Sequence, residues 1–311
     1  MNSLRPVDIR VHLALLFVQI SFGGFNVFGK YVLGYVSPLS LAAMRVLFAG
    51  PLLMLMALRF DNVRPKGRDF LTLASLGFFG VFLNQLLFIT GLNYTTASNA
   101  SILMPSIPVF TVGVAMAMGI ERITWRRSFG IGLAVAGALI MLRITRFSLS
   151  DDTVIGNILI LVNCLSYSVF LVRVRPLLLR IPPLTVVAWT FAFGGAGVLI
   201  FSAPEFLRTP FASLPSLAWG GIAFVVLFPT LINYLLSTWA IKRSSSTLVA
   251  TYTTLQPVVA TTLAVLLLGE HFGMRELLGF LLIVAGLLWI TRESTPTQIV
   301  SPSETVQTHG S

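Results

Sequence analysis

From Val11 to Leu33 the chain carries one formally charged side chain, Lys30. Comparable apolar stretches follow at 39–58, 70–92, 98–120, 128–143, 155–173, 184–203, 217–241, 247–269 and 276–291, and Arg45 is an isolated charge inside the second. The hydrocarbon core of a bilayer is about 30 Å thick and needs about 20 apolar residues in helix. The succession predicts an all-α integral membrane protein with ten transmembrane helices, the fifth and tenth of them short. The first run is too long for the apolar part of a cleavable signal peptide, so it is expected to remain as a spanning helix. Residues 293–311, polar and rich in Ser and Thr, are expected to form a disordered tail.

Charge supports the same class. Only 10% of residues are charged, against roughly 25% in soluble chains. The net charge of +10 would suggest nucleic acid in a soluble protein. Here it fits the enrichment of Lys and Arg in cytoplasmic loops, and no nucleic-acid partner is expected. Cys164, the single cysteine, lies in an apolar run and cannot form an internal disulfide.

The chain also repeats itself. "FGIGLAVAGALIMLR" at 129–143 returns 149 positions later as "LGFLLIVAGLLWITR" at 278–292. The same offset pairs Asn84 with Asn233, Leu86 with Leu235, Pro108 with Pro257 and Glu121 with Glu270. Nearer the N-terminus the offset is 145, pairing Phe25 with Phe170 and Lys30 with Arg175. Two five-helix units follow, 11–143 and 155–292. Five is odd, so the second unit enters the bilayer from the opposite side. With both termini cytoplasmic, 15 of the 21 Lys and Arg fall inside and 5 outside, Arg45 lying within a span. That bias supports two inverted repeats in a multi-pass cell (inner) membrane protein, a symmetry that supplies secondary transporters with two gates around one midplane site.

Several phrases resemble a known family. "AAMRVLFAGPLL" (42–53), "LNQLLFITGLNYTTASNASIL" (83–103), "GIER" (119–122), "LGEHF" (268–272) and the two "VAG" helices are similar to the EamA-like branch of the drug/metabolite transporter superfamily. "SFGGFNVFGKYVL" (21–33) is similar to its plant nodulin-like members. The resemblance implies a ten-helix carrier of amino acids or other small metabolites, with export favoured over import. It leaves the cargo open.

Polar side chains at mid-depth are costly and therefore informative. Asn26, Asn84, Gln85, Asn163, Ser166, Tyr167, Asn233, Tyr234, Tyr252 and Gln256 lie there. As a set they suit the lining of a cavity for an amphipathic solute, although single members also suit hydrogen bonding between helices. Pro108, Pro229 and Pro257 are candidate helix breaks that would flank such a site, or static kinks. Arg45 costs about 2.5–3.5 kcal/mol at mid-bilayer on insertion scales, so it must face protein, water or an anion. It either meets a substrate carboxylate or ties helix-end carbonyls or Glu270. The resemblance, with an arginine frequent here across varied cargoes, is an argument for the structural role. Glu121 and Glu270 precede helices and read as helix-dipole partners.

No acid or histidine sits at depth: His12 opens the first span, and His271 and His309 lie outside the spans. The usual groups for proton coupling are therefore missing, and uniport or exchange stays open. "GFNVFGKY" (24–31) has phosphate-loop spacing, but Tyr31 replaces the magnesium-binding Ser or Thr. No cofactor and no metal are expected. A membrane-embedded transferase would need a cluster of acids, histidines or nucleophiles, which the spans lack, so no enzymatic activity is expected. A passive channel and a carrier of nucleotide-sugar or lipid-linked sugar remain as alternatives. The second of these would need several basic groups in the cavity, where only Arg45 and Lys30 are candidates.

Overall fold

The computed structural model describes residues 8–61, 63–95, 100, 103–119, 124–141, 151–259, 262 and 273–291. Glu121, Glu270, His271, residues 96–99, 101 and 102, the end of the ninth expected span and the polar tail lie outside the described residues. Among the described residues every regular element is helical. The helices are α1 (Ile9–Val32), α2 (Pro38–Phe60), α3 (Gly67–Tyr94), α4 (Ser106–Ala117), α5 (Trp125–Met141), α6 (Asp151–Leu178), α7 (Pro183–Arg208), α8 (Ser216–Arg243), α9 (Ser246–Tyr252) and α10 (Met274–Thr291). Six of them, α1, α2, α3, α6, α7 and α8, are long and apolar enough to cross a membrane.

Local chemistry sets the ends. Asp8 caps α1 by accepting from the Arg10 amide, and Ser37 caps α2 just before Pro38. Ser245 caps α9 through the Leu248 amide. Each short polar side chain satisfies an amide that the first helical turn leaves without a partner. α6 and α7 outrun the expected 155–173 and 184–203, because charge ended the apolar count without ending the helix. Arg175 stays helical and buried, donating to the Ser244 carbonyl (3.0 Å).

Two helices widen at matching places. α3 takes a π turn over Phe78–Leu83 and α8 over Val226–Ile232, positions that correspond at the 149-residue offset. Pro229 lies in the second and has no amide to give to the α ladder. The first contains no proline, and its local sequence does not explain it. In such turns some carbonyls lose their regular partner. In α3 the Phe79 and Gly80 carbonyls accept from Ser166 (2.8 Å) and Tyr234 instead.

Equivalent helices pack on one another in opposite directions. Asp61, at the C-terminal end of α2, accepts from the Thr185 amide (3.0 Å) and hydroxyl (2.6 Å) at the N-terminal end of α7. At the other end Ser40 of α2 meets Thr209, just past α7 (2.6 Å). α5 and α10 do the same through glycines. A Cβ on Gly137 would lie 2.6 Å from the Gly279 carbonyl, and one on Gly286 would lie 2.6 Å from the Gly130 carbonyl. Gly137 and Gly286, like Gly130 and Gly279, are 149 positions apart, so the contact is reciprocal.

The Asp61 contact gives a direct test. Asp61→Ala strips the cap from the first turn of α7 and should cost about 1 kcal/mol. A thermal unfolding midpoint lower by about 2 °C in detergent is the expected reading. An unchanged midpoint would mean that water replaces the carboxylate without loss.

Candidate functional site

Between α1, α2, α3, α6 and α8, and the segments around residues 104–107 and 249–256, lies a cavity of about 760 Å³ of atom-free space, its open mouth included. Its walls come from both halves of the chain. Phe22, Phe25, Phe88 and Phe170 supply aromatic faces, and Gln19, Asn26, Asn84, Asn163, Asn233 and Gln256 supply amides. Tyr167, Tyr234, Ser237 and Thr253 add hydroxyls, and Arg45 is the only charged residue lining it among the described residues.

Helical spacing explains the arrangement. On α1, positions 19, 22 and 26 share one face, and on α3 positions 84 and 88 do. Asn84 and Asn233 each follow a π turn. Asn163 Nδ2 donates to the Asn84 carbonyl (2.8 Å), which bridges α6 to α3. At the corresponding place in the other half, Asn233 Nδ2 donates to the Val18 carbonyl (3.3 Å) and bridges α8 to α1. Gln256 Nε2 donates to Gln19 Oε1 (3.1 Å).

Arg45 is only 3% exposed. Its Nε donates to Thr230 Oγ1 (2.7 Å), and Thr230 passes its own proton to the Val225 carbonyl (2.7 Å). The guanidinium carbon sits 4.8 Å from the centre of the Phe25 ring, whose negative face partly offsets the charge. The terminal amino groups of Arg45 make no hydrogen bond to the described residues. Tyr234, on the same wall, donates to the Gly80 carbonyl and shares that proton with Asn84 Oδ1 (3.1 Å). The site therefore offers one permanent positive charge, neutral donors and acceptors, and aromatic surface.

The structure brings Asn26, Arg45, Asn84, Asn163, Tyr167, Asn233, Tyr234 and Gln256 to this cavity. It does not bring Gln85 or Tyr252. Gln85 is fully buried one position round α3 from Asn84, and neither of its amide atoms has a partner among the described residues. Tyr252 turns to His12, whose Nδ1 lies 2.5 Å from its hydroxyl. Ser166 is held by the Phe79 carbonyl. Lys30, the other basic candidate, is absent from the walls. It donates to the Leu92 (2.7 Å), Asn93 (3.0 Å) and Thr95 (2.9 Å) carbonyls at the end of α3.

Pro229 sits in the π turn, and Pro257 follows a 3₁₀ turn at Thr253–Leu255. Pro108 lies in the first turn of α4, where no intrahelical bond is lost, and the break falls just before it at Met104–Pro105. Gln19 and Thr253 were findable by the same polar-at-depth signal as Gln256. The phenylalanine walls carried no signal, because phenylalanine is common throughout the spans.

Helices long and apolar enough to cross a membrane, enclosing a cavity lined by amides, hydroxyls, aromatic rings and one guanidinium, fit a membrane transport protein. The chain belongs to the EamA-like transporter family, whose pattern matches residues 9–143 and 154–292. An Archaeoglobus fulgidus protein named an uncharacterized transporter is 28% identical, over 92% of this chain and 98% of its own length. A probable terminal-alkyne amino-acid exporter of Streptantibioticus cattleyicolor is also 28% identical, over 74% of this chain and 76% of its own. A solved protein structure shares the fold with a TM-score of 0.69, at 20% identity, over 93% of this chain and 98% of the other.

Proposed function

We propose that the chain is a secondary carrier that exports a small amphipathic metabolite, an amino acid or a close relative, by alternating access. Its two five-helix halves, 11–143 and 155–292, thread the cell membrane in opposite senses with both termini cytoplasmic. The observation that carries this reading is the cavity itself, which is shared between the halves and has Arg45 in its wall. The antiparallel pairs α2–α7 and α5–α10 support the inversion. The exporter named among the relatives supports the cargo class and direction.

The chemistry follows from the walls. A carboxylate is drawn to the terminal amino groups of Arg45, which pairs with no acid among the described residues. An ammonium group finds neutral acceptors in the amides and in Tyr167. An apolar side chain lies against Phe22, Phe25, Phe88 and Phe170. Rocking of one half against the other would expose the site to each side in turn.

Reconstitution in liposomes tests the reading. Labelled amino acids are expected to cross by saturable flux, with no single-channel current. Current steps would indicate a channel. Failure of every amino acid and related acid to cross, with the fold intact, would remove the proposal.

A further inference from the structure

Eight buried side-chain atoms have no hydrogen-bond partner among the described residues, although buried polar groups are normally paired. Half of these atoms follow a pattern. Ser21 Oγ, both amide atoms of Gln85 and Asn233 Oδ1 occupy places whose counterparts in the other half do make bonds. Ser75, Thr111, Thr190 and Ser202 fall outside it.

The correspondence is bond for bond. Tyr234 reaches the Gly80 carbonyl and Asn84 Oδ1. At the 149-residue offset Tyr234 corresponds to Gln85, Asn84 to Asn233, and Gly80 to Pro229. The equivalent bond would run from Gln85 Nε2 to Asn233 Oδ1 and the Pro229 carbonyl, and both side-chain ends of it stand unpartnered. Likewise Ser166 donates to the Phe79 carbonyl (2.8 Å). At the 145-residue offset Ser166 corresponds to Ser21, and Phe79 corresponds to Phe228 at 149. The Ser21 hydroxyl is buried and unpartnered. Each receiving carbonyl, made or unmade, belongs to a π turn.

The geometry points to two mutually exclusive latches. The one closed here joins Tyr234 and Ser166 to the π turn of α3. The other joins Gln85 and Ser21, with Asn233, to the π turn of α8, and it closes when the carrier faces the opposite side. This assignment rests on the alternating-access reading. When inverted halves exchange conformations, a contact between two positions is replaced by the contact between their counterparts. Gln85, Asn233 and Ser21 are then positioning residues for the other face, left without partners because this is the wrong state for them. The second latch gains from chemistry, since an amide nitrogen carries two protons and can serve both acceptors.

Labelling from the two faces tests this. The background is Cys164→Ala carrying Ser237→Cys in the cavity wall, in right-side-out and inside-out vesicles treated with a membrane-impermeant methanethiosulfonate. Tyr234→Phe and Ser166→Ala weaken the closed latch and should shift the ratio of labelling rates toward one face by roughly five-fold, the change one net hydrogen bond supports. Gln85→Leu and Ser21→Ala should shift it by a similar factor toward the other face. Ser21→Ala is the smaller change and decides the matter if Gln85→Leu does not reach the membrane. A shift in the same direction as Tyr234→Phe, or no shift in either variant, overturns the latch. Labelling from both faces with these variants silent leaves the carrier standing. Labelling confined to one face in all variants removes alternating access and the latch together.

Discussion

Replacing Arg45 with alanine should lower transport of a carboxylate-bearing solute by roughly a hundred-fold while the protein still folds. Among the described residues the terminal amino groups of this guanidinium are uncommitted, and only its Nε is held, by Thr230. A carboxylate accepting both amino groups forms charge-assisted bonds worth about 1.5–3 kcal/mol each. Losing about 3 kcal/mol of them corresponds to two decades. Folding should survive because Thr230 keeps its bond to the Val225 carbonyl and a buried charge is removed rather than stranded. Arg45→Lys keeps the charge but not the planar fork, so it should recover only part of the rate. Uptake into proteoliposomes at matched protein density is the measurement. Full transport by Arg45→Ala, with a lowered unfolding temperature, would make Arg45 a structural tie and send the search for the cargo contact to the amides.

The largest effect on folding is expected from Gly194→Val. α3 and α7 touch backbone to backbone at this point. A Cβ on Gly194 would overlap the Gly77 carbonyl, and one on Gly77 would lie 2.7 Å from the Gly194 amide nitrogen and 2.8 Å from the Thr190 carbonyl. No side-chain rotation relieves a clash with backbone, so the helices must separate, and small residues are what allow such approach in lipid. Size-exclusion profiles of detergent extracts should show loss of the monodisperse peak for Gly194→Val and Gly77→Val. Gly50→Ala is the control. It has nothing within 4 Å of its would-be Cβ and should be tolerated. A monodisperse Gly194→Val protein would show that the contact is looser than drawn.

Six long helices, α1, α2, α3, α6, α7 and α8, were legible because lipid demands long apolar runs, and those runs are in plain view. Their ends were less so. Arg175 and Glu205 lie just past the expected ends at 173 and 203, yet the helix continues through them. Arg175 shows why, since a basic side chain inside a helix can bury itself on a carbonyl of a neighbouring segment. The cavity was legible through its amides. Asn84 and Gln85 mark the limit of that signal. Both are polar at the same depth, yet one lines the cavity and the other is buried beside it, because neighbours in a helix point about 100° apart. Tyr252 was unreadable for another reason. Its partner His12 lies 240 positions away in sequence, and no local pattern announces such a pair. The π turns were unreadable too, the first containing nothing but apolar residues and a glycine.

Those widened turns decide where the rest of α3 and α8 aims. A wide turn accommodates roughly one residue beyond the regular count, and every later side chain is rotated by about 100° in consequence. Straightening the turn at unchanged chain length would swing Asn84 out of the cavity wall. Excising one amino acid from 78–83 together with the widening would instead leave Asn84 where it is, because the wide turn is what absorbs that residue. The amide on the wall thus depends on the register that the widening sets as much as on composition.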